Sequence, residues 1–133
     1  MAIIEAINSE FATLVYNDEH QFVHHTFHKD IEGDDFRNVL LTGVEFLRTK
    51  NAQKWLSDDR NINRMSDEDT QWSIDVWSPT AIQAGWKFWA LVVPETMAGQ
   101  LAMIDFVQTY SHYGVLVRVF TELEPAREWL IEQ

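Results

Sequence analysis

The chain has 133 residues, of which 46% are hydrophobic and 13% aromatic, so it can bury a core and is expected to form one domain over residues 1–133. Its formal net charge of −11 disfavours binding to nucleic-acid phosphates and to anionic membrane surfaces. The absence of cysteine excludes disulfides, thiolate metal sites and cysteine nucleophiles. With no signal-peptide pattern and no apolar run of membrane-spanning length, the sequence predicts a cytoplasmic protein.

The first half of the chain predicts a β-hairpin, a helix and a third strand. Residues 11–16 and 21–29 are rich in β-branched and aromatic side chains, and a polar turn separates them. Gly33-Asp34-Asp35 opens a helix with an aspartate at the N-cap. A strand over residues 52–57 follows and ends in a polar loop.

The second half alternates helices and strands. Ser66 caps a helix that Ser78-Pro79 interrupts and Gly85 ends. Residues 87–94 form a nearly continuous apolar run, typical of a strand covered on both faces. A helix over 95–113 that ends at Gly114, a strand over 115–121 and a helix over 125–132 complete the chain. The helix over 95–113 is predicted to face the core through Met97, Leu101, Ile104 and Val107.

The predicted order of elements is β-β-α-β-α-β-α-β-α. Strands that alternate with helices are joined by right-handed crossovers and pair in parallel, whereas the initial hairpin is antiparallel. The sequence therefore predicts a single α/β domain with a mixed, mostly parallel sheet, begun by an N-terminal β-hairpin and covered by helices.

Three stretches of the chain carry a family resemblance: residues 55–61 (WLSDDRN), 65–72 (MSDEDTQW) and 84–95 (AGWKFWALVVPE). With the order of elements, they resemble the small bacterial STAS-like proteins, which are also described as SpoIIAA-like or STAS/SEC14-type domains. The resemblance implies a STAS/SpoIIAA-like fold and a non-enzymatic regulatory or protein-interaction module that acts with a protein partner or as a homodimer. A branch likened to Sec14-type folds implies the alternative, a carrier or sensor of a small apolar ligand.

The anti-sigma factor antagonist branch of this family has a serine or threonine after a central strand whose phosphorylation switches partner binding. The resemblance makes Ser57 and Ser66 the candidate phosphoacceptors. That branch has Asp-Ser, a small residue and Gly at this junction, whereas this chain has Asp58-Asp59-Arg60. From its own sequence context, Ser66 is equally an ordinary helix cap, because serine is a preferred N-cap residue.

The main polar feature is a loop that contains Asp58, Asp59, Arg60 and Asn61 and continues to Ser66. It follows a predicted parallel strand, at the edge where ligands bind in open α/β sheets, and is the predicted interaction or ligand loop. Two adjacent acids there could hold a divalent metal or act as acid and base. Alternatively, the two aspartates point different ways and one of them pairs with the loop backbone or with Arg60.

Enzymatic activity is a further hypothesis, in which Asp58 or Asp59 acts together with Glu95. It requires these carboxylates to converge in one cleft. None of the common motifs for nucleotide binding or nucleophilic catalysis is present in the sequence, and no catalytic residue or cofactor is predicted.

Histidines 20, 24, 25 and 28 cluster in the predicted hairpin. His24 and His28 share one strand face but lie roughly 13 Å apart, too far for a shared metal ion, and His25 points to the other face. The pattern favours a solvated sheet face, and no metal site is predicted.

Six tryptophans are many for a chain of this length. Core packing explains most of them, but such a number also indicates that some are partly exposed at an interface, where tryptophan is enriched. Trp77 and Trp86 are the first candidates for such exposure. The predicted apolar groove or interface consists of Trp72, Val76, Trp77 and Trp86.

Overall fold

The computed structural model describes residues 3–97 and 105–133. Within these ranges, six strands form one sheet in the order β1-β2-β3-β4-β5-β6. β1, β2 and β3 pair antiparallel, and β3 to β6 pair in parallel, which confirms the predicted α/β domain with a mixed, mostly parallel sheet. The strands are β1 (Ile3–Asn8), β2 (Ala12–Asn17), β3 (Phe22–Phe27), β4 (Lys54–Asp58), β5 (Phe88–Val92) and β6 (Leu116–Phe120).

The helices follow the predicted alternation after the hairpin. The helix capped by Ser66 continues without a break through a wider, π-helical turn, and Pro79 lies in the first turn of the helix after it. The helical segments are α1 (Gly33–Lys50), α2 (Asp67–Trp72), the π-helical segment (Ser73–Trp77), α3 (Ser78–Gln83), α4 (Asp105–His112) and α5 (Leu123–Ile131). No helix in the described ranges is long and apolar enough to cross a membrane.

Two details of the predicted secondary structure are wrong. The N-cap of α1 is Glu32, without a side-chain hydrogen bond, because Gly33 already belongs to the helix with a positive φ of 65°. The strand β1 was not predicted at all. It is an exposed edge strand with an irregularity between Glu5 and Ile7, so no alternation of buried and exposed residues marks it in the sequence.

The structure describes the two ends of the long helix predicted over residues 95–113. Residues 95–97 are helical, and Asp105–His112 forms α4. Met97 packs against the core as predicted, whereas Leu101 and Ile104 lie outside the described residues. Gly114 has a φ of 91°, which confirms that it adopts the left-handed conformation after the helix.

One face of the sheet, called here the tryptophan face, is covered by the connecting helices. Because the parallel strands follow one another in order, right-handed crossovers place α1, the π-helical segment, α3 and α4 on this same side. Trp55 lies on β4 and packs closely on α1, so that its ring occupies the space beside Gly43. The buried tryptophans of this face are Trp55, Trp77, Trp86 and Trp89.

The opposite face, called here the α5 face, carries a smaller apolar cluster under α5 alone. Ala126 and Leu130 of α5 are fully buried and belong to one cluster with Leu56 and Ala90 of the central strands. Successive residues of a strand alternate between the two faces. Neighbouring residues at the end of β4 are therefore directed into two different environments.

Candidate ligand-binding site

A cavity of about 420 Å³ lies on the tryptophan face, where β3, β4 and β5 end. α1 forms one wall through Phe36 and Leu40, and α2 with the π-helical segment forms another through Thr70 and Ile74. The carboxyl end of parallel strands is where open α/β sheets bind ligands, and the cavity lies at this edge. The aromatic residues in its lining include Phe27, Phe36, Trp77, Trp89 and Tyr110.

His25 forms the polar corner of this cavity. It lies on β3 between the buried residues Val23 and Phe27, and only 2% of it is exposed. Trp55 Nε1 donates a hydrogen bond to His25 Nδ1 over 3.0 Å, so the ring proton resides on Nε2, which donates to Asp59 Oδ1 over 2.9 Å. The predicted solvated face is therefore wrong for His25, because α1 covers that side of the sheet.

The two adjacent aspartates separate at the end of β4. Asp59 lines the cavity, and its backbone N–H donates to Val92 O over 2.8 Å, which fixes the loop against β5. Asp58 is buried on the α5 face, where Arg60 Nε and Nη2 donate to its two carboxylate oxygens, each over 2.8 Å. The alternative in which the aspartates point different ways and one pairs with Arg60 is confirmed.

The ion pair determines how Asp58 titrates. Burial by itself would raise the pKa of the Asp58 carboxyl, but the hydrogen bonds and the charge of Arg60 outweigh burial and hold this pKa below its usual value. Glu95 is exposed and is not among the residues that line the cavity. Asp58, Asp59 and Glu95 thus do not converge in one cleft, and the geometry does not support an enzyme that uses them together.

Both candidate phosphoacceptor serines make structural contacts. Ser57 is buried in the cavity wall, where its Oγ accepts a hydrogen bond from Trp89 Nε1 over 2.9 Å. Ser66 is the N-cap of α2, as predicted: its Oγ accepts from the Asp69 backbone N–H over 3.1 Å and donates to Asp69 Oδ2 over 2.9 Å. Phosphorylation of either serine stays a prediction.

Asp69 links the beginnings of two helices. Its buried carboxylate also accepts hydrogen bonds from the Gly33 backbone N–H and from Arg37 Nε. Burial alone would raise the pKa of Asp69, but these donors together with Ser66 hold it below its usual value. The wall of the cavity formed by α2 is thereby fixed to the first turn of α1.

The predicted groove residues have different positions. Trp77 and Trp86 are only 3% and 1% exposed, so the expectation that they are partly exposed at an interface is wrong. Both pack in the buried tryptophan cluster, with their ring centroids 4.8 Å apart. Trp72 is half-buried against Phe36, and Val76 is 42% exposed, so Trp77 alone of the four predicted residues lines the cavity.

The π-helical segment explains this distribution. The prediction that Trp72 and Val76 share a face assumed α-helical spacing, in which residues four apart coincide. In a π-helix the hydrogen bond spans five residues, so Trp77 rather than Val76 continues the inward direction of Trp72. Ile74 lies in the lining of the cavity although it is 55% exposed, and it therefore marks the point where the cavity reaches the surface.

Trp55, Trp89 and Tyr110 contribute to the site, but the sequence prediction did not assign them to it. Tyr110 of α4 hydrogen-bonds Ser78 Oγ through its hydroxyl over 2.7 Å, and burial raises its pKa above the usual value. Of the site residues that the sequence prediction missed, only His25 had a recognisable signal in the sequence. Val23 and Phe27, two positions before and after it on the strand, are apolar, which indicates that this strand face is buried. The other contacts join elements that are far apart in the sequence.

Comparison with protein-family models, with curated proteins and with solved structures finds no match to this chain. The resemblance to STAS-like proteins therefore stays a prediction. Within the described residues, no group of three or more histidine, aspartate or glutamate side chains is placed to hold a metal ion.

Proposed function

We propose that this chain binds a small, largely apolar molecule in the cavity on the tryptophan face and acts as its carrier or sensor. The observation that carries the proposal is the cavity itself, with a volume of about 420 Å³, aromatic and aliphatic walls, and one polar corner at His25 and Asp59. Ligand sites in proteins commonly measure about 300–1,000 Å³ and combine apolar walls with a few fixed polar groups.

The polar groups of the cavity are held in place before any ligand arrives. Trp55 orients His25, His25 orients Asp59, and Trp89 donates to Ser57. Such fixed groups need no reorganisation when a ligand binds, which reduces the cost of association. This arrangement supports a binding site more than a void left by imperfect packing.

The lining also contains a hydrogen-bond donor without an acceptor. Trp77 Nε1 is buried and has no hydrogen-bond partner within the described part of the chain. An unsatisfied buried donor costs about 1–3 kcal/mol. A ligand acceptor that reached this indole would remove that cost.

The test uses 4-phenylbutan-1-ol, a neutral apolar probe, in isothermal titration calorimetry. We expect saturable binding to one site per chain. Ile74→Trp places a large ring at the mouth of the cavity and should weaken binding at least tenfold. Val76→Trp is the matched control, because Val76 is exposed on the same π-helical segment but does not line the cavity. Absence of saturable binding, or equal effects of the two variants, would contradict the proposal.

The interaction module implied by the STAS-like resemblance is the second candidate. The edge strand β1 favours it, since Ile3 and Ile4 are exposed there and the edge of a sheet can pair with a strand of another chain. Native mass spectrometry of protein purified from its own source separates the two candidates. A small-molecule adduct that is lost on denaturation supports the carrier, whereas a dimer without added mass supports the interaction module.

A further inference from the structure

The charge of the cavity lining is one-sided. Asp59 is the one carboxylate among the described residues that line it, and neither lysine nor arginine is among them. The Asp59 side chain is 20% exposed, so it lies at the cavity without being sealed away from solvent. The protein as a whole carries a formal net charge of −11, which adds to the negative potential at the site.

Asp59 has room to accept a further hydrogen bond. His25 Nε2 donates to Oδ1, and within the described residues no side chain or backbone group donates to Oδ2. Asp58 provides the contrast, because Arg60 fills both of its oxygens on the other face of the sheet. The guanidinium of Arg60 thus pairs with Asp58, whereas Asp59 faces the cavity.

Aromatic rings line the same cavity as this carboxylate. The ring centroids of Trp77 and Trp89 are 5.6 Å apart with planes at 76°, and those of Trp89 and Tyr110 are 5.0 Å apart with planes at 73°. At these distances each pair of rings is in edge-to-face contact, so the three rings form one continuous aromatic wall of the cavity. Such walls attract cations through the negative potential of the ring faces, most strongly for tryptophan.

We propose that the ligand of this cavity is an organic cation, an apolar molecule with an ammonium group that pairs with Asp59 and lies against Trp77 and Trp89. This inference rests on the proposed function and specifies its ligand class. The apolar part of the molecule occupies the space lined by Phe36, Leu40 and Leu91. A carboxylate or phosphate ligand is disfavoured by the same charge that attracts the ammonium group.

The experiment compares three probes that share one apolar body and differ in charge: 4-phenylbutylamine, 4-phenylbutan-1-ol and 4-phenylbutanoate. Each is titrated into the full chain at neutral pH and constant salt, with calorimetric detection. We expect the amine to bind at least tenfold more tightly than the alcohol. The carboxylate should show no measurable binding.

Two variants locate the source of this preference. Asp59→Asn keeps an oxygen that accepts from His25 but removes the charge, so the variant should bind the amine no more tightly than the alcohol. Asp75→Asn makes the same change of charge at an exposed position of the π-helical segment outside the lining, and should leave amine binding within twofold. Thermal unfolding of both variants verifies that they are folded.

The outcomes separate the inference from the proposed function. If amine and alcohol bind equally and Asp59→Asn changes neither, the cationic ligand class is overturned while the binding function stands. If Asp59→Asn and Asp75→Asn weaken the amine to the same degree, the preference comes from overall charge and the assignment to Asp59 is overturned. If none of the three probes binds, the proposed function and the inference fail together.

Discussion

The adjacent aspartates Asp58 and Asp59 lie on opposite faces of the sheet, in different environments. On the α5 face, Asp58 is buried and both of its oxygens are bound by Arg60. On the tryptophan face, Asp59 lies at a cavity and contacts His25 through one oxygen. The difference arises from strand geometry, since adjacent residues point to opposite sides of the sheet. An acidic pair in a sequence is therefore not by itself a site, because the sheet can assign one member to structure and the other to a ligand.

The buried tryptophans also distinguish the two faces. The α5 face includes the small residues Ala90 and Ala126 in its cluster, which allow the helix to approach the strands closely. The tryptophan face contains large rings that meet at steep angles, such as Trp55 and Trp77 at 80°. The tryptophan face thus holds the four buried tryptophans, whereas Trp129 of the α5 face is half-buried.

The largest expected effect comes from disturbing the tryptophan face at Gly43. A methyl group there would lie 2.7 Å from Cζ2 and 3.0 Å from Cζ3 of Trp55. Gly43→Ala should lower the free energy of unfolding by about 3 kcal/mol, because the ring is buried and cannot move aside. Urea unfolding measures this change. Leu41→Ala, at an exposed position of the same helix, should cost about 1 kcal/mol or less. Equal effects of the two variants would contradict the tight packing of Trp55 on α1.

The next prediction concerns His24, a half-buried residue of the α5 face. Burial, and then the neighbouring His25, lower the pKa of His24 from 6.5 to about 4. The unfolded chain therefore takes up the proton first as the pH falls, and stability is lost from about pH 6.5 downwards until about pH 4. Between pH 7 and pH 5 this linkage amounts to about 2 kcal/mol.

Urea unfolding at the two pH values tests the role of His24. His24→Gln should remove about 2 kcal/mol from the difference in unfolding free energy between pH 7 and pH 5. His28→Gln, at an exposed position shortly after β3, is the control and should retain most of the difference. An unchanged pH dependence in His24→Gln would show that another group is responsible.

A smaller effect is expected from breaking the ion pair of the α5 face. Arg60→Met removes the two side-chain donors of the buried Asp58 carboxylate, and should lower the free energy of unfolding by about 1–2 kcal/mol. Thermal or urea unfolding measures the loss. Binding of 4-phenylbutan-1-ol should stay within twofold, because Arg60 does not line the cavity. A tenfold loss of binding would mean that the two faces are not independent.

The smallest effect on stability is expected on the other side of β4. Asp59→Asn should change the free energy of unfolding by less than about 1 kcal/mol, because an amide oxygen still accepts the hydrogen bond from His25. Its effect should appear in ligand binding instead. A destabilisation larger than that of Arg60→Met would reverse the roles given to the two aspartates.

Features set by local sequence were predictable. The central strand over residues 87–94 is marked by its continuous apolar run, and Ser66 by its place before an acidic first helical turn. Gly114 was predictable because a residue without a side chain readily adopts a positive φ after a helix. The α/β class followed from the order of such elements.

Features set by tertiary packing were not predictable. The positions of Val76 and Trp77 depend on a π-helical turn, which no local pattern announces. The burial of His25 depends on which sheet face α1 covers, and its partners Trp55 and Asp59 lie 30 and 34 positions further along the chain. The separation of the two aspartates was one of the predicted alternatives, but which of them pairs with Arg60 depended on the strand ending at Asp58.

The order of the strands has a consequence for how the protein is made. Every strand of the sheet after β1 is hydrogen-bonded to the strand that precedes it in the chain. During synthesis, each new strand can therefore add to an edge that already exists, without waiting for a distant segment to return. The cavity is different, because its lining extends from His25 on β3 to Tyr110 on α4. The sheet can thus begin to form on the ribosome well before the cavity is complete, and a molecule that binds in the cavity can stabilise only the later stages of folding.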